Sequence, residues 1–207
     1  MTGPGAGGGL AARAAAWRAA DPDPQTGAEL DRLLAAGDTA ALAERFDGSL
    51  AFGTAGIRAA MGAGPARMNR LVAGRVAAGL ARYIAERDPA VLSDPASLSD
   101  PAGEGTGAER GVGVVIGYDG RANSEVFATD AARILSRAGI RVSMLPGALP
   151  TPVLAFAVRH ERASYGLMVT ASHNPRQDNG IKVYVRDGGQ LLPPADEQIA
   201  AFIDAVD

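Results

Sequence analysis

Apolar positions recur with two different periods along this chain, and the change of period divides it. Over residues 69–87, NRLVAGRVAAGLARYIAER, Leu71, Val72, Val76, Leu80 and Ile84 fall on one broad face and the arginines mostly on the other, which predicts a long helix. Upstream, Ala-rich segments across 10–46 are broken by Asp21-Pro22-Asp23-Pro24 and by Gly37-Asp38. That punctuation predicts three short helices, the last capped by Asp38, with Glu44 and Arg45 facing solvent near its end. Downstream the runs shorten: GVGVVIGY (111–118), IRVSML (140–145), YGLMV (165–169) and IKVYV (181–185) read as strands. Helical patterns at 124–137 and about 152–160 separate them. In the first of these Ser124 is the expected cap, Phe127, Ala131 and Leu135 follow at i, i+4 spacing, and Gly139 ends the helix. Strands alternating with helices predict an α/β fold, a mixed, largely parallel sheet covered by helices on both faces, with functional loops at the strand ends.

Three stretches lack such a pattern. Residues 1–9 are mostly glycine and are expected to be a disordered tail; Gly3 to Gly8 match G-x-G-x-x-G, but no strand precedes them, so no dinucleotide site is read there. Residues 88–110 repeat Ser-Asp-Pro and add glycines, which predicts a mobile surface loop inside one domain spanning 10–192. Residues 193–207 start a helix whose Ile199, Phe202, Ile203 and Val206 form an apolar stripe in need of a neighbour. They are read as a linker and the start of a second domain.

Composition narrows the function by exclusion. With 20 basic and 23 acidic residues among 207, the net charge of -3 gives no basis for nucleic-acid binding. Cysteine is absent and histidine occurs twice, which removes thiol chemistry and a conventional zinc site. No run of 18 apolar residues or secretory signal is present, so the expectation is a cytoplasmic protein without a membrane role.

The chemistry concentrates at TASHNP, residues 170–175, on a turn after an apolar strand. Phosphoryl transfer needs an oxygen nucleophile, a handler for its proton and positive charge around the phosphoryl oxygens. Ser172 offers the oxygen, His173 and Lys182 are candidate proton handlers, and Arg176, Lys182 and Arg58 supply cations. Asn174-Pro175 shapes the turn and gives an amide for backbone or phosphate oxygen. An esterase reading is weak: adjacent Ser and His side chains diverge on extended backbone, and no G-x-S-x-G elbow exists. In AFGTAGIR (51–58), glycines flank Thr54-Ala55 and let backbone approach a ligand, while Arg58 offers a planar fork for phosphate. Asp119-Gly120-Arg121 taken alone is a turn more often than a site. Taken singly, Ser172 is an ordinary turn residue, Lys182 the solvent face of a strand and His160 a helix C-terminal cation.

In order, FGTAGIR, GYDGR, TPVLAFAV, TASHNP and NGIKVY resemble the α-D-phosphohexomutase superfamily, the phosphoglucomutases and phosphomannomutases, over about residues 43–185. The resemblance implies a phosphohexomutase first domain. It implies that a phosphoryl group moves between the 1 and 6 positions of glucose or mannose phosphate through a phosphoserine at Ser172 and a sugar bisphosphate, which also activates the enzyme. It further implies His173 and Lys182 as catalytic groups, and Arg58, Asn174 and Thr54 as contacts to phosphate. One magnesium ion would be held by the Ser172 phosphate and by aspartates of a DGDGDR-like loop that this chain lacks. Arg121 would either buttress the serine loop or form a structural salt bridge. The partners implied are the sugar phosphate and the remaining domains of the same enzyme, and the chain alone is expected to be inactive. Phosphopentomutase activity, or a non-catalytic phosphate- or partner-binding domain, are the alternatives.

Overall fold

In the computed structural model, residues 9–92 and 113–206 are described. They form α1 (Leu10–Ala20), α2 (Pro24–Ala36), α3 (Thr39–Phe46), β1 (Ile57–Ala60), α4 (Arg70–Arg87), β2 (Val114–Tyr118), α5 (Ser124–Arg137), β3 (Val142–Ala148), α6 (Thr151–His160), β4 (Tyr165–Val169), β5 (Asp178–Val185) and α7 (Ala195–Asp204). The breakers of the N-terminal segment act as starts and stops. Asp23 and Asp38 accept the N–H groups of Gln25 and Ala41, and Gly37 closes α2 in the left-handed conformation at φ 62°. Arg45 departs from its predicted solvent face. Its Nε lies 2.7 Å from Glu29 with both side chains about one-fifth exposed, so it ties α3 to α2, while Glu44 stays exposed.

The sheet runs β1-β5-β4-β2-β3. β2 pairs in parallel with β3 and β4, and β5 is antiparallel to both β4 and β1. A reversal is forced at β5 because it follows β4 through a short loop, whereas parallel neighbours need a crossover. β5 begins at Asp178, three residues before the pattern IKVYV, and β1 has no counterpart in the sequence reading.

Alternation along β2 sends Val114 and Ile116 to one face and Val115 to the other. On the first face α4 (Val76, Leu80, Ile84) and α5 (Phe127, Ala131, Leu135) cover Ile116, Leu167, Ile181 and Val183, all at most 2% exposed. On the second, Leu154 and Val158 of α6 cover Val115, Met168 and Tyr184. Each such buried side chain contributes roughly 1.5–3 kcal/mol relative to exposure.

The cap of α5 is corrected, and the stripe of α7 finds the neighbour it called for. Asn123, left-handed at φ 63°, occupies the N-cap of α5, and Ser124 is the first helical residue with its hydroxyl fully buried. The apolar stripe of α7 is covered within the chain: Ile199 and Ile203 are buried in the core that α4 contributes to, and Phe202 meets Tyr83 edge-on at 6.0 Å. The predicted tail and its G-x-G-x-x-G match lie outside the described residues except for Gly9. So does the loop from residue 93 onward, although Pro89–Val91 form a 3₁₀ turn with Val91 buried.

Candidate active site

After β4 ends at Val169, Thr170 N–H still donates to Gly180 O at 2.9 Å, so the ladder with β5 persists one residue past the strand. The chain then turns. Asn174 N–H donates to Ala171 O at 3.0 Å, Asp178 N–H to Pro175 O at 3.0 Å, and the Asn174 side-chain amide to Asp178 Oδ2 at 2.9 Å. Ser172 sits at φ 56°, a left-handed conformation that costs a non-glycine residue roughly 1–2 kcal/mol. Its N–H donates to Thr170 Oγ1 at 2.9 Å. Ser172 and His173 are both exposed, and among the described residues no hydrogen bond holds the Ser172 hydroxyl, so it is not paired with the imidazole beside it.

Arg121 anchors this turn from the end of β2. Its Nη1 donates to Pro175 O (2.8 Å) and Asp178 O (3.1 Å), its Nη2 to Ser172 O (2.7 Å) and Asn174 O (3.0 Å), and its Nε to Asp119 Oδ2 (3.2 Å). Loop buttress and salt bridge, set as alternatives by the sequence, are one arrangement. Asp119 in turn accepts from Thr170 Oγ1 and Ser124 Oγ, each at 2.7 Å, and Ser124 Oγ accepts from the buried Asn179 amide at 3.0 Å. The importance of Asp119, Ser124, Thr170 and Asn179 was missed by sequence reasoning. The one available signal was the recurrence of GYDGR in family order.

β1 delivers the distant arginine. Arg58 is in register with Gly180, whose missing side chain makes room for the Arg58 stem; a Cβ there would lie 2.6 Å from Arg58 Cγ. Gly56, at φ 79°, passes so close to β5 that a Cβ would strike the Ile181 carbonyl oxygen. Lys182, two residues along β5 from Gly180, shares its face with Arg58. Burial, and secondarily the Arg58 charge, hold its ammonium below the ordinary 10.5. Replacing Arg58 with methionine is therefore expected to raise the Lys182 pKa while burial keeps it under 10.5. Titration of the lysine side chain by NMR checks this, and an unmoved Lys182 would show that the two charges do not communicate.

Thr54 is placed differently from the rest. Its hydroxyl donates to Asp196 Oδ2 at 2.6 Å, which ties the AFGTAGIR loop to the first turn of α7, and Asp196 is only 5% exposed. Among the described residues no group of three or more His, Asp or Glu is placed to hold a metal ion. Asp119 and Asp178, which flank the serine loop, are engaged by the donors named above. A cleft of about 440 Å³ beside the loop is lined by Asp119, Gly120, Arg121, Ala122, Asn174 and Arg176. A larger one of about 760 Å³, bordered by Trp17, Arg70 and Arg75, involves none of these residues, and its one carboxylate, Asp130, is held by Arg70 at 2.7 Å. The smaller cleft adjoins the serine loop through Asn174 and Arg176 and is taken as the candidate site on that ground, although Ser172, Arg58 and Lys182 are not among the residues that line it.

A family model described as "Phosphoglucomutase/phosphomannomutase, alpha/beta/alpha domain I" matches residues 101–207. The chain belongs to the phosphoglucomutase/phosphomannomutase family. A Haemophilus influenzae protein named "Probable phosphomannomutase" is 44% identical over 144 residues, 67% of this chain and 25% of that protein. The phosphopentomutase of Mus musculus is 36% identical over 196 residues, 92% of this chain and 29% of that one. A solved phosphomannomutase-like structure from Thermus thermophilus superposes with a TM-score of 0.60 at 32% identity, covering 75% of this chain and 30% of its own. The chain thus spans between a quarter and three-tenths of the length of these relatives. No helix among the described residues is long and apolar enough to cross a membrane.

Proposed function

We propose that this chain is the phosphoryl-carrying part of a cytoplasmic phospho-sugar mutase acting on glucose or mannose phosphate. The observation that carries the reading is the Ser172 hydroxyl, exposed and unbonded among the described residues on a loop clamped by Arg121; Arg58 and Lys182, which share one face of the paired strands β1 and β5, are the proposed cations. Ser172 Oγ forms the bond to phosphorus as the bond from phosphorus to the departing sugar oxygen breaks. In the reverse transfer the other sugar hydroxyl takes the group and Ser172 leaves. Lys182 or His173 handles the hydroxyl proton; a lysine whose burial favours its neutral form suits that task. Arg58 offers its guanidinium to phosphate oxygens and Asn174 is a further proposed contact; Thr54, whose hydroxyl proton goes to Asp196, would contact phosphate only through its backbone N–H. A sugar bisphosphate serves as the phosphoryl donor that primes Ser172.

Magnesium would offset the charge of the phosphoserine. From this chain only the phosphate on Ser172 would hold it; the other ligands, like the rest of the sugar site, would come from the remaining domains of the enzyme. The 207 residues alone are then inactive. Phosphopentomutase activity is the second reading, favoured because the pentomutase match extends over 92% of this chain against 67% for the phosphomannomutase. The test is to compare kcat/KM of the full-length enzyme on glucose 1-phosphate, mannose 1-phosphate and ribose 1-phosphate, with the 207-residue chain assayed alongside. Preference for ribose 1-phosphate moves the assignment to the pentomutase. Turnover of none by the full-length enzyme leaves a non-catalytic phosphate- or partner-binding domain, and turnover by the short chain overturns the need for other domains.

A further inference from the structure

Four donors converge on one carboxylate at the end of β2. Asp119 Oδ1 accepts from Ser124 Oγ (2.7 Å) and Arg121 N–H (3.1 Å), and Oδ2 accepts from Thr170 Oγ1 (2.7 Å) and Arg121 Nε (3.2 Å). Each of these bonds sets the polarity of the next. The Thr170 hydroxyl has one proton, and giving it to Asp119 leaves the oxygen as an acceptor, which is how it meets the Ser172 N–H. The guanidinium of Arg121 has five N–H groups, and five bonds leave it: one to Asp119 and four to the loop carbonyls of Ser172, Asn174, Pro175 and Asp178. Arg121 therefore has no donor left for a substrate phosphate, although it is a cation beside the candidate site. Only an acceptor-only group fits where Asp119 stands. An asparagine of the same shape would turn its own NH₂ toward at least one of the converging donors.

We infer that Asp119 is a positioning residue, acting through Thr170 and Arg121 to hold Ser172 in the left-handed backbone that presents its hydroxyl for phosphoryl transfer, and that Arg121 is a clamp on that loop and not a phosphate ligand. The inference rests on the reading of Ser172 as phosphoryl carrier. Asp119 touches no reacting atom. Its effect is orientation, and misplacement of a reacting group by about 1 Å costs on the order of a hundredfold in rate.

The experiment measures the rate at which Ser172 of the full-length enzyme takes label from a labelled glucose bisphosphate. It is run on the wild type and on Asp119→Asn, Thr170→Val and Thr170→Ser. Asp119→Asn and Thr170→Val are expected to lower the saturated rate by about 30- to 100-fold with KM changed by no more than about threefold, and Thr170→Ser to recover most of the loss. Amide exchange across residues 171–178 should quicken in Asp119→Asn while that of β2 and β4 does not. If Asp119→Asn fails to fold, the Thr170 pair decides, since it alters one hydroxyl and one methyl. Labelling of Asp119→Asn or Thr170→Val at the wild-type rate overturns the positioning role and leaves the carrier reading standing. So does a Thr170→Ser as slow as Thr170→Val. A wild type that takes no label at Ser172 overturns the carrier reading, and the proposal falls with it.

Discussion

Ser172→Ala in the full-length enzyme is expected to abolish acid-stable label from a labelled sugar bisphosphate, with turnover falling by at least about four orders of magnitude. The substitution removes one oxygen and little else. The bond from residue 172 N–H to Thr170 Oγ1 and the bond from Arg121 to the residue 172 carbonyl are made by backbone, so the loop keeps both anchors. Alanine at φ 56° carries about the same strain as serine, and the side chain is exposed, so the change in stability should stay within about 0.5 kcal/mol. Activity and stability are thereby separated in one variant. One background that could imitate phosphoserine is controlled: a phosphohistidine on the adjacent His173 would be lost in acid where a serine ester survives. Acid-stable label persisting in the alanine variant would end the assignment of Ser172.

The second large effect concerns the fold. Gly79→Ala in α4 should gain about 1 kcal/mol from helix propensity if the site were open. It is not open. A Cβ on Gly79 would lie 2.5 Å from Ile203 Cγ1 and 2.7 Å from both the Cα and the N of Ile203, so the obstruction includes the backbone of α7. A side chain tip can rotate away; a helix backbone must move bodily, and that movement would loosen Ile199, Ile203 and the Phe202–Tyr83 ring contact. Overpacking costs about 1–3 kcal/mol, and because the obstruction here includes helix backbone the upper part of that range applies, which exceeds the propensity gain. The net expectation is a lower urea midpoint at unchanged slope. A raised midpoint would show that α7 does not lie on α4 as described.

Elements with long, regular patterns were legible in sequence. The apolar face of 69–87, the i, i+4 ladder of Phe127, Ala131 and Leu135, and the strands around Ile116 and Leu167 are all found as read. β1 was not, because four residues, IRAA, carry no usable alternation and exist as a strand through pairing with β5. Ser124 was read as a cap by residue type, but the left-handed Asn123 takes that place and frees the serine hydroxyl for Asp119. Of the candidate site, the turn at 170–175 and its serine were visible. The grip on that turn was not.

What the sequence determined by itself was local: where helices begin and end, which faces are apolar, that a serine sits on a turn after a buried strand, and that the ordered motifs resemble one family. These follow from energies between residues a few positions apart, which periodicity and cap chemistry encode directly. Tertiary structure alone decided that α7 packs on α4, that Arg58 lies level with Gly180, and that Asp-Gly-Arg is a clamp and not an idle turn. Those facts depend on partners 51 to 142 positions apart, from Thr170–Asp119 to Thr54–Asp196. A carboxylate announces in sequence that it will need donors, but which donors reach it is settled only when the strands that carry them have taken their order in the sheet.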